Sequence, residues 1–145
     1  MIILIVLLIP FFVPRVVGLQ TFSVISGSME PVIPTGSLIY VKEVSVDDVK
    51  KNDVISFYGK QGSIVTHRIQ QIDSDGIVTK GDANEDIDLM KVRGSQLIGK
   101  VLFSIPLLGY LTQSLWLYVI ALFLLGASIV FWWKAHQIEK STSRN

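Results

Sequence analysis

The sequence predicts a mainly β protein: a small antiparallel sheet, partly closed into a barrel, flanked by N- and C-terminal transmembrane helices. Three observations carry this expectation. Half of the 145 residues are hydrophobic, and mean hydropathy reaches +0.51, high for a soluble domain. The excess is concentrated in residues 1–24 and 101–133, leaving a middle of mixed composition. That middle alternates apolar and polar residues in short β-branched runs, the period-two signature of strands with one buried face.

The elements follow in chain order. "MIILIVLLIPFFVPRVVGLQTF" is apolar but interrupted by Pro10, Pro14 and the charged Arg15. A cleaved signal peptide would carry a basic n-region and a small-x-small cleavage site, and this run has neither. We therefore expect a retained anchor over residues 1–20, with Arg15 snorkelling at its outer face. No cationic residue precedes the anchor, so either the second span sets the orientation or the native chain begins before Met1.

Residues 21–110 form the expected β-rich domain. Its strands are "SLIYVKEV" from Ser37, "DVISFYG" from Asp53, "SIVTHRIQQI" from Ser63, "GIVTKGD" from Gly76 and "QLIGKVLFSI" from Gln96, each bounded by turn residues. "SVDDVKK" predicts one helical turn with Ser45 as N-cap and Asp47 and Asp48 in the first turn. "LWLYVIALFLLGASIVFWW", Leu115 to Trp133, runs 19 residues without a charge. At 1.5 Å per residue it would extend about 28 Å, close to the bilayer's hydrocarbon thickness. Trp116 and Tyr118 near one end and Trp132 and Trp133 at the other fit an aromatic belt. The expected divisions are thus an anchor (1–20), the β domain (21–110), a second membrane helix (111–133) and a basic tail (134–145). Lys134, Lys140 and Arg144 mark the tail as cytoplasmic, so the β domain is expected outside the cytoplasm of a multi-pass protein; the plasma membrane is the expected location.

Charge and cysteine content narrow the function. Between Gln20 and Tyr110, nine Lys/Arg face eleven Asp/Glu with no basic stripe, which argues against nucleic acid. The chain has no cysteine, which excludes disulfides and thiolate zinc sites.

Three groups of residues could do chemistry. In "VISGSMEP", Gly27 permits a sharp turn before Ser28, and Pro31 restricts Glu30, so the Ser28 hydroxyl is presented on a rigid corner. Of the two histidines, His136 lies in the tail, whereas His67 lies in "IVTHRIQ" on the strand face of Val65 and Ile69. An unperturbed imidazole titrates where proton transfer near neutrality requires it. "KGDANEDID" places four carboxylates within seven positions, Asp82 to Asp88. Spacing alone suits a calcium loop about as well as it suits a carboxylate that orients an imidazole.

Taken together, these residues resemble the type I signal peptidases, in the endoplasmic-reticulum-type branch that also occurs in archaea and Gram-positive bacteria. The resemblance covers Val24 to Gly109. "SGSMEP" resembles the nucleophile box, "VTHRI" the box in which this branch has histidine where the bacterial branch has lysine, and "TKGDAN" the Gly-Asp-Asn box, with Ala83 in place of its first Asn. "GKVLFSIPLLG" resembles the closing segment. The resemblance implies a membrane-bound serine endopeptidase that removes signal peptides from secreted preproteins. Ser28 would be the nucleophile and His67 the general base. Asp88 would orient the imidazole and Asp82 support the loop. The Ser28 N–H and the Ser26 hydroxyl would form the oxyanion hole. It implies no metal or organic cofactor. The partners it implies are preproteins with small residues before the cut and the lipid bilayer, with the secretion translocon a further candidate. Two alternatives stand beside this reading: a non-catalytic membrane-tethered β module, and a Ser/Lys dyad using Lys60 or Lys80.

Overall fold

The computed structural model describes residues 9–10, 13–113 and 115–142. Two compact units divide the chain, one from Pro10 to Gln113 and one comprising residues 1–9 and 114–145.

The first unit is a six-stranded sheet: β1 (Leu19–Ser23), β2 (Leu38–Lys42), β3 (Val54–Tyr58), β4 (Ile64–Asp73), β5 (Gly76–Lys80) and β6 (Leu97–Ile105). Every pairing is antiparallel, in the order β1-β2-β6-β3-β4-β5. The sheet is open, because no ladder joins β1 to β5; this corrects the expected partly closed barrel. The edge strand β5 is extended by a single bridge, Ile77 to Val92. The expected turn after β2 forms at Val46–Asp48, where the Asp48 carboxylate accepts from both the N–H and the hydroxyl of Ser45.

Two apolar clusters hold the sheet. One gathers Val49, Ile55, Phe57, Ile69, Ile77 and Val92, the other Met29, Ile33, Ile39, Val41 and Ile98. Each fully buried aliphatic side chain in them contributes roughly 1.5–3 kcal/mol of transfer free energy. The first cluster packs on the face that carries His67, since Ile55 pairs with His67 and Ile69 with Thr79 across the ladders. The second lies directly beneath Ser28, through Met29. A short helix, α1 (Leu108–Gln113), closes the unit. Gly109 donates its N–H to Gly36, and a Cβ there would stand 2.4 Å from the Ser37 carbonyl, so the backbones approach only because that position is glycine.

In the second unit, α2 (Leu115–Thr142) is one continuous helix of 28 residues. Its described apolar side chains, from Val119 to Trp133, are mostly exposed. The His136 ring stacks on Trp132 with centroids 5.6 Å apart. Among the described residues, no helix is long and apolar enough to cross a membrane, so the expected flanking spans are not established by the fold. Half of the expected N-terminal anchor, residues 1–8 and 11–12, lies outside the described residues.

Candidate active site

Ser28 stands in the tight turn after β1, closed by the Glu30 N–H to the Gly27 carbonyl at 3.0 Å and continued by Ile33 N–H to Met29 O at 2.9 Å. Met29 is 1% exposed and anchors the turn in the core, while Ser28 beside it keeps partial access to solvent. The far side of the turn is tied by Glu30, whose carboxylate accepts from the hydroxyl and the N–H of Thr35; these bonds hold Glu30 below the usual carboxylate range. Ser26 is exposed, two residues away.

His67 is central in β4 and 8% exposed, with its ring edge-on to Phe57. Its Nδ1 lies 2.6 Å from Asp88 Oδ2. The same Asp88 oxygen accepts the Thr79 hydroxyl at 2.6 Å, and the Asp88 N–H donates to the Thr79 carbonyl at 2.8 Å. With Nδ1 donating to a carboxylate, the neutral imidazole keeps its basic lone pair on Nε2.

Asp82 does not join this group. It receives a two-pronged ion pair from Arg68, Nε to Oδ1 at 2.8 Å and Nη2 to Oδ2 at 2.7 Å, while Arg68 Nη1 donates to the Asn52 carbonyl. The bonds to Asp82 raise the Arg68 pKa further. Successive strand residues point to opposite faces, so His67 and Arg68 draw the two aspartates apart. The acidic loop is therefore divided between two partners, with Asp88 on His67 and Asp82 on Arg68. Among the described residues, no three His, Asp or Glu side chains are grouped to hold a metal ion.

The same loop reaches the serine turn. Ala83 N–H donates to the Ser28 carbonyl at 2.9 Å, and a Cβ on Gly81 would lie 2.6 Å from that oxygen. Ser26, Ser28 and His67 line one cavity of about 630 Å³, together with Phe22, Val24, Ile25, Ile39 and Asn84. His67 and Asn84 also border a second cavity, of about 720 Å³, which Lys60 lines. The Ser28 and His67 side chains thus share a cavity without a hydrogen bond between them; in unliganded sites such bonds often close only with substrate. Of the two lysines, Lys60 is exposed, and Lys80 donates its ammonium to the Glu85 carbonyl at 3.0 Å. Thr79 went unnoticed in the sequence. Its only signal there is a hydroxyl at an inward-facing position of "GIVTK".

Comparison with known proteins gives a consistent family. The chain is 48% identical over 80 residues to signal peptidase I W of Bacillus subtilis, a match covering 52% of this chain and 42% of that protein. It is 34% identical over 125 residues to the signal peptidase complex catalytic subunit sec11 of Pyrenophora tritici-repentis, covering 74% of this chain and 72% of that one. The corresponding subunit of Sclerotinia sclerotiorum is 29% identical over 124 residues. The chain spans less than half the length of the Bacillus relative. No family model matches it.

Proposed function

This chain belongs to the type I signal peptidases, and on that premise we propose that it cleaves signal peptides from preproteins with Ser28 as nucleophile, His67 as general base and Asp88 as the orienter of His67. The observation that carries this reading is the 2.6 Å contact between His67 Nδ1 and Asp88 Oδ2, made by a histidine that lines one cavity together with Ser28. Ser28 Oγ attacks the scissile carbonyl and passes its proton to His67 Nε2. The Ser28 N–H and Ser26 hydroxyl receive the oxyanion, a donor pair in which each member is worth about 3–4 kcal/mol. The intermediate collapses as Nε2 returns the proton to the leaving amine, and water activated by the same nitrogen then releases the acyl group. Asp88 stays ionised and stabilises the imidazolium. Asp82, paired with Arg68, supports the loop.

Substrate lies extended along the segment before Ser28 and along the start of β4, both of which line the cavity. Main-chain bonds give affinity there, and small pockets select small residues before the cut. The uncharged stretch Leu115–Trp133, whose described apolar side chains are exposed, anchors the protein in the bilayer. A retained N-terminal anchor precedes the peptidase domain, which is extracytoplasmic, and the basic tail is cytoplasmic. Tethering enzyme and signal peptide to one membrane raises their effective concentration.

Co-expression with a model preprotein tests the assignment. Ser28→Ala and His67→Ala should abolish processing in folded, membrane-inserted protein, while Lys60→Ala and Lys80→Ala keep substantial activity. Normal processing by Ser28→Ala would remove the nucleophile assignment, and a dead, folded Lys80→Ala would move the base to lysine. Outside protease should spare a C-terminal tag on sealed cells; its digestion would reverse the topology.

A further inference from the structure

We propose that Thr79 is a positioning residue that fixes the rotation of the Asp88 carboxylate and, through it, the imidazole of His67. The inference rests on the reading of His67 and Asp88 given above. Thr79 is fully buried at 0% exposure, and its ladder partner Ile69 and its neighbour on the same face, Ile77, are equally buried and wholly apolar. Valine would match the volume and suit a strand at least as well. A buried hydroxyl carries a desolvation cost unless it is bonded, and this one is bonded to Asp88 Oδ2 at 2.6 Å.

That bond has a mechanical consequence. A carboxylate turns easily about its Cβ–Cγ bond, whose torsion is broad. Here one oxygen accepts two donors at once, the Thr79 hydroxyl and His67 Nδ1, each at 2.6 Å. The Asp88 main chain is pinned by its N–H to the Thr79 carbonyl at 2.8 Å. Strand β5 thus holds Asp88 by backbone and side chain together, with the carboxylate plane set by the hydroxyl. Without the hydroxyl, the backbone bond remains but the carboxylate can rotate, and the imidazole loses its fixed bearing on Ser28. The loss falls on the chemical step, because Thr79 lines neither cavity.

The test compares Thr79→Val and Thr79→Ser in the full-length protein, using steady-state cleavage of a model preprotein, thermal unfolding, and the low-field proton resonance of the His67 Nδ1–H bond. Thr79→Val should lower kcat about 10- to 100-fold, the scale of one buried hydrogen bond to a charged group. Its KM should stay within about twofold and its low-field resonance should broaden or vanish. Thr79→Ser, which restores the hydroxyl, should stay within about threefold of wild type and keep the resonance. A folded Thr79→Val with kcat within twofold of wild type overturns the proposal, as does a Thr79→Ser equally impaired with the resonance unchanged. Should Thr79→Val not fold, Thr79→Ala is measured in the same way. If neither folds while Thr79→Ser behaves as wild type, the hydroxyl serves the fold and the positioning role falls. Wild type and Ser28→Ala run alongside. An inactive wild type, or an active Ser28→Ala, defeats the functional reading itself, whereas an active Thr79→Val beside a dead Ser28→Ala defeats only this inference.

Discussion

Replacing Asp88 with Asn removes the negative charge beside His67 while keeping the side chain's shape, and its effect can be worked from the geometry. The two side chains are 2.6 Å apart at their nearest atoms, and 10% (His67) and 24% (Asp88) exposed. With charge centres about 4 Å apart and an effective dielectric near 20, the carboxylate is worth about 4 kcal/mol to a full imidazolium. The transition state carries most of that charge, so we expect a loss of about 3–4 kcal/mol, or roughly 10²- to 10³-fold in kcat. KM should hardly move, since in the proposed mechanism Asp88 acts through the imidazole. Asp82→Asn should give the opposite pattern. It weakens the two-pronged bond to Arg68, in a pair 26% and 15% exposed, at a cost of roughly 1.5–3 kcal/mol in stability. For a domain of this size that lowers Tm by about 5–15 °C, while kcat changes less than about tenfold. Steady-state cleavage of a model preprotein, paired with thermal unfolding, reads both. A normal rate in folded Asp88→Asn, together with a dead but folded Asp82→Asn, would refute the reasoning and exchange the roles.

Two further outcomes are expected. Gly81→Ala should depress kcat together with Tm, since the new methyl would meet the Ser28 carbonyl at 2.6 Å and Asn84 Nδ2 at 2.8 Å; wild-type kinetics would show that the loop can retreat without moving the serine turn. Burial alone would push Asp53 up, but the Lys100 ammonium and the Lys50 N–H outweigh it and hold Asp53 below its ordinary value of 3.8. Its contribution to stability is therefore complete above that value and is lost as pH falls through the lower folded value. Lys100→Met should shrink the fall in unfolding free energy between about pH 5 and pH 2; an unchanged fall in denaturant titrations would exclude the ion pair as its source.

The five strands from β2 to β6 were legible because β-branched alternation between turn residues is a local signal. β1 was not. Leu19–Ser23 continues an apolar run, and only its pairing with β2, around the serine turn, makes it a strand. Barrel closure was over-read for a related reason: strand count is local information, whereas closure depends on whether the end strands meet, and β1 and β5 do not pair. Within the candidate site, residue types and order could be read from Ser26, Ser28, His67 and the acidic loop. Which of Asp82 and Asp88 meets His67 was suggested only by the resemblance and not by spacing, because it depends on which face of β4 each loop position meets. Arg68 was read only as part of the "VTHRI" box, yet it is the side chain that takes Asp82 away from His67. Thr79 was invisible for want of a partner: a threonine in a strand is ordinary until the residue facing its hydroxyl is known.

The bond from the Ala83 N–H to the Ser28 carbonyl bears on how the protein opens. The loop that carries Asp88 is fastened at one point to the turn that carries Ser28 and at another to β5, so neither can be released without disturbing the other. Native-state amide hydrogen exchange at Ala83 and Asp88 would then follow a common opening reaction, with one free energy and one denaturant dependence, and not two unrelated local fluctuations. The proposed catalytic set would be present or absent as a whole in each molecule at each moment. Partial destabilisation would accordingly lower the fraction of competent molecules and leave the turnover of each competent molecule unchanged.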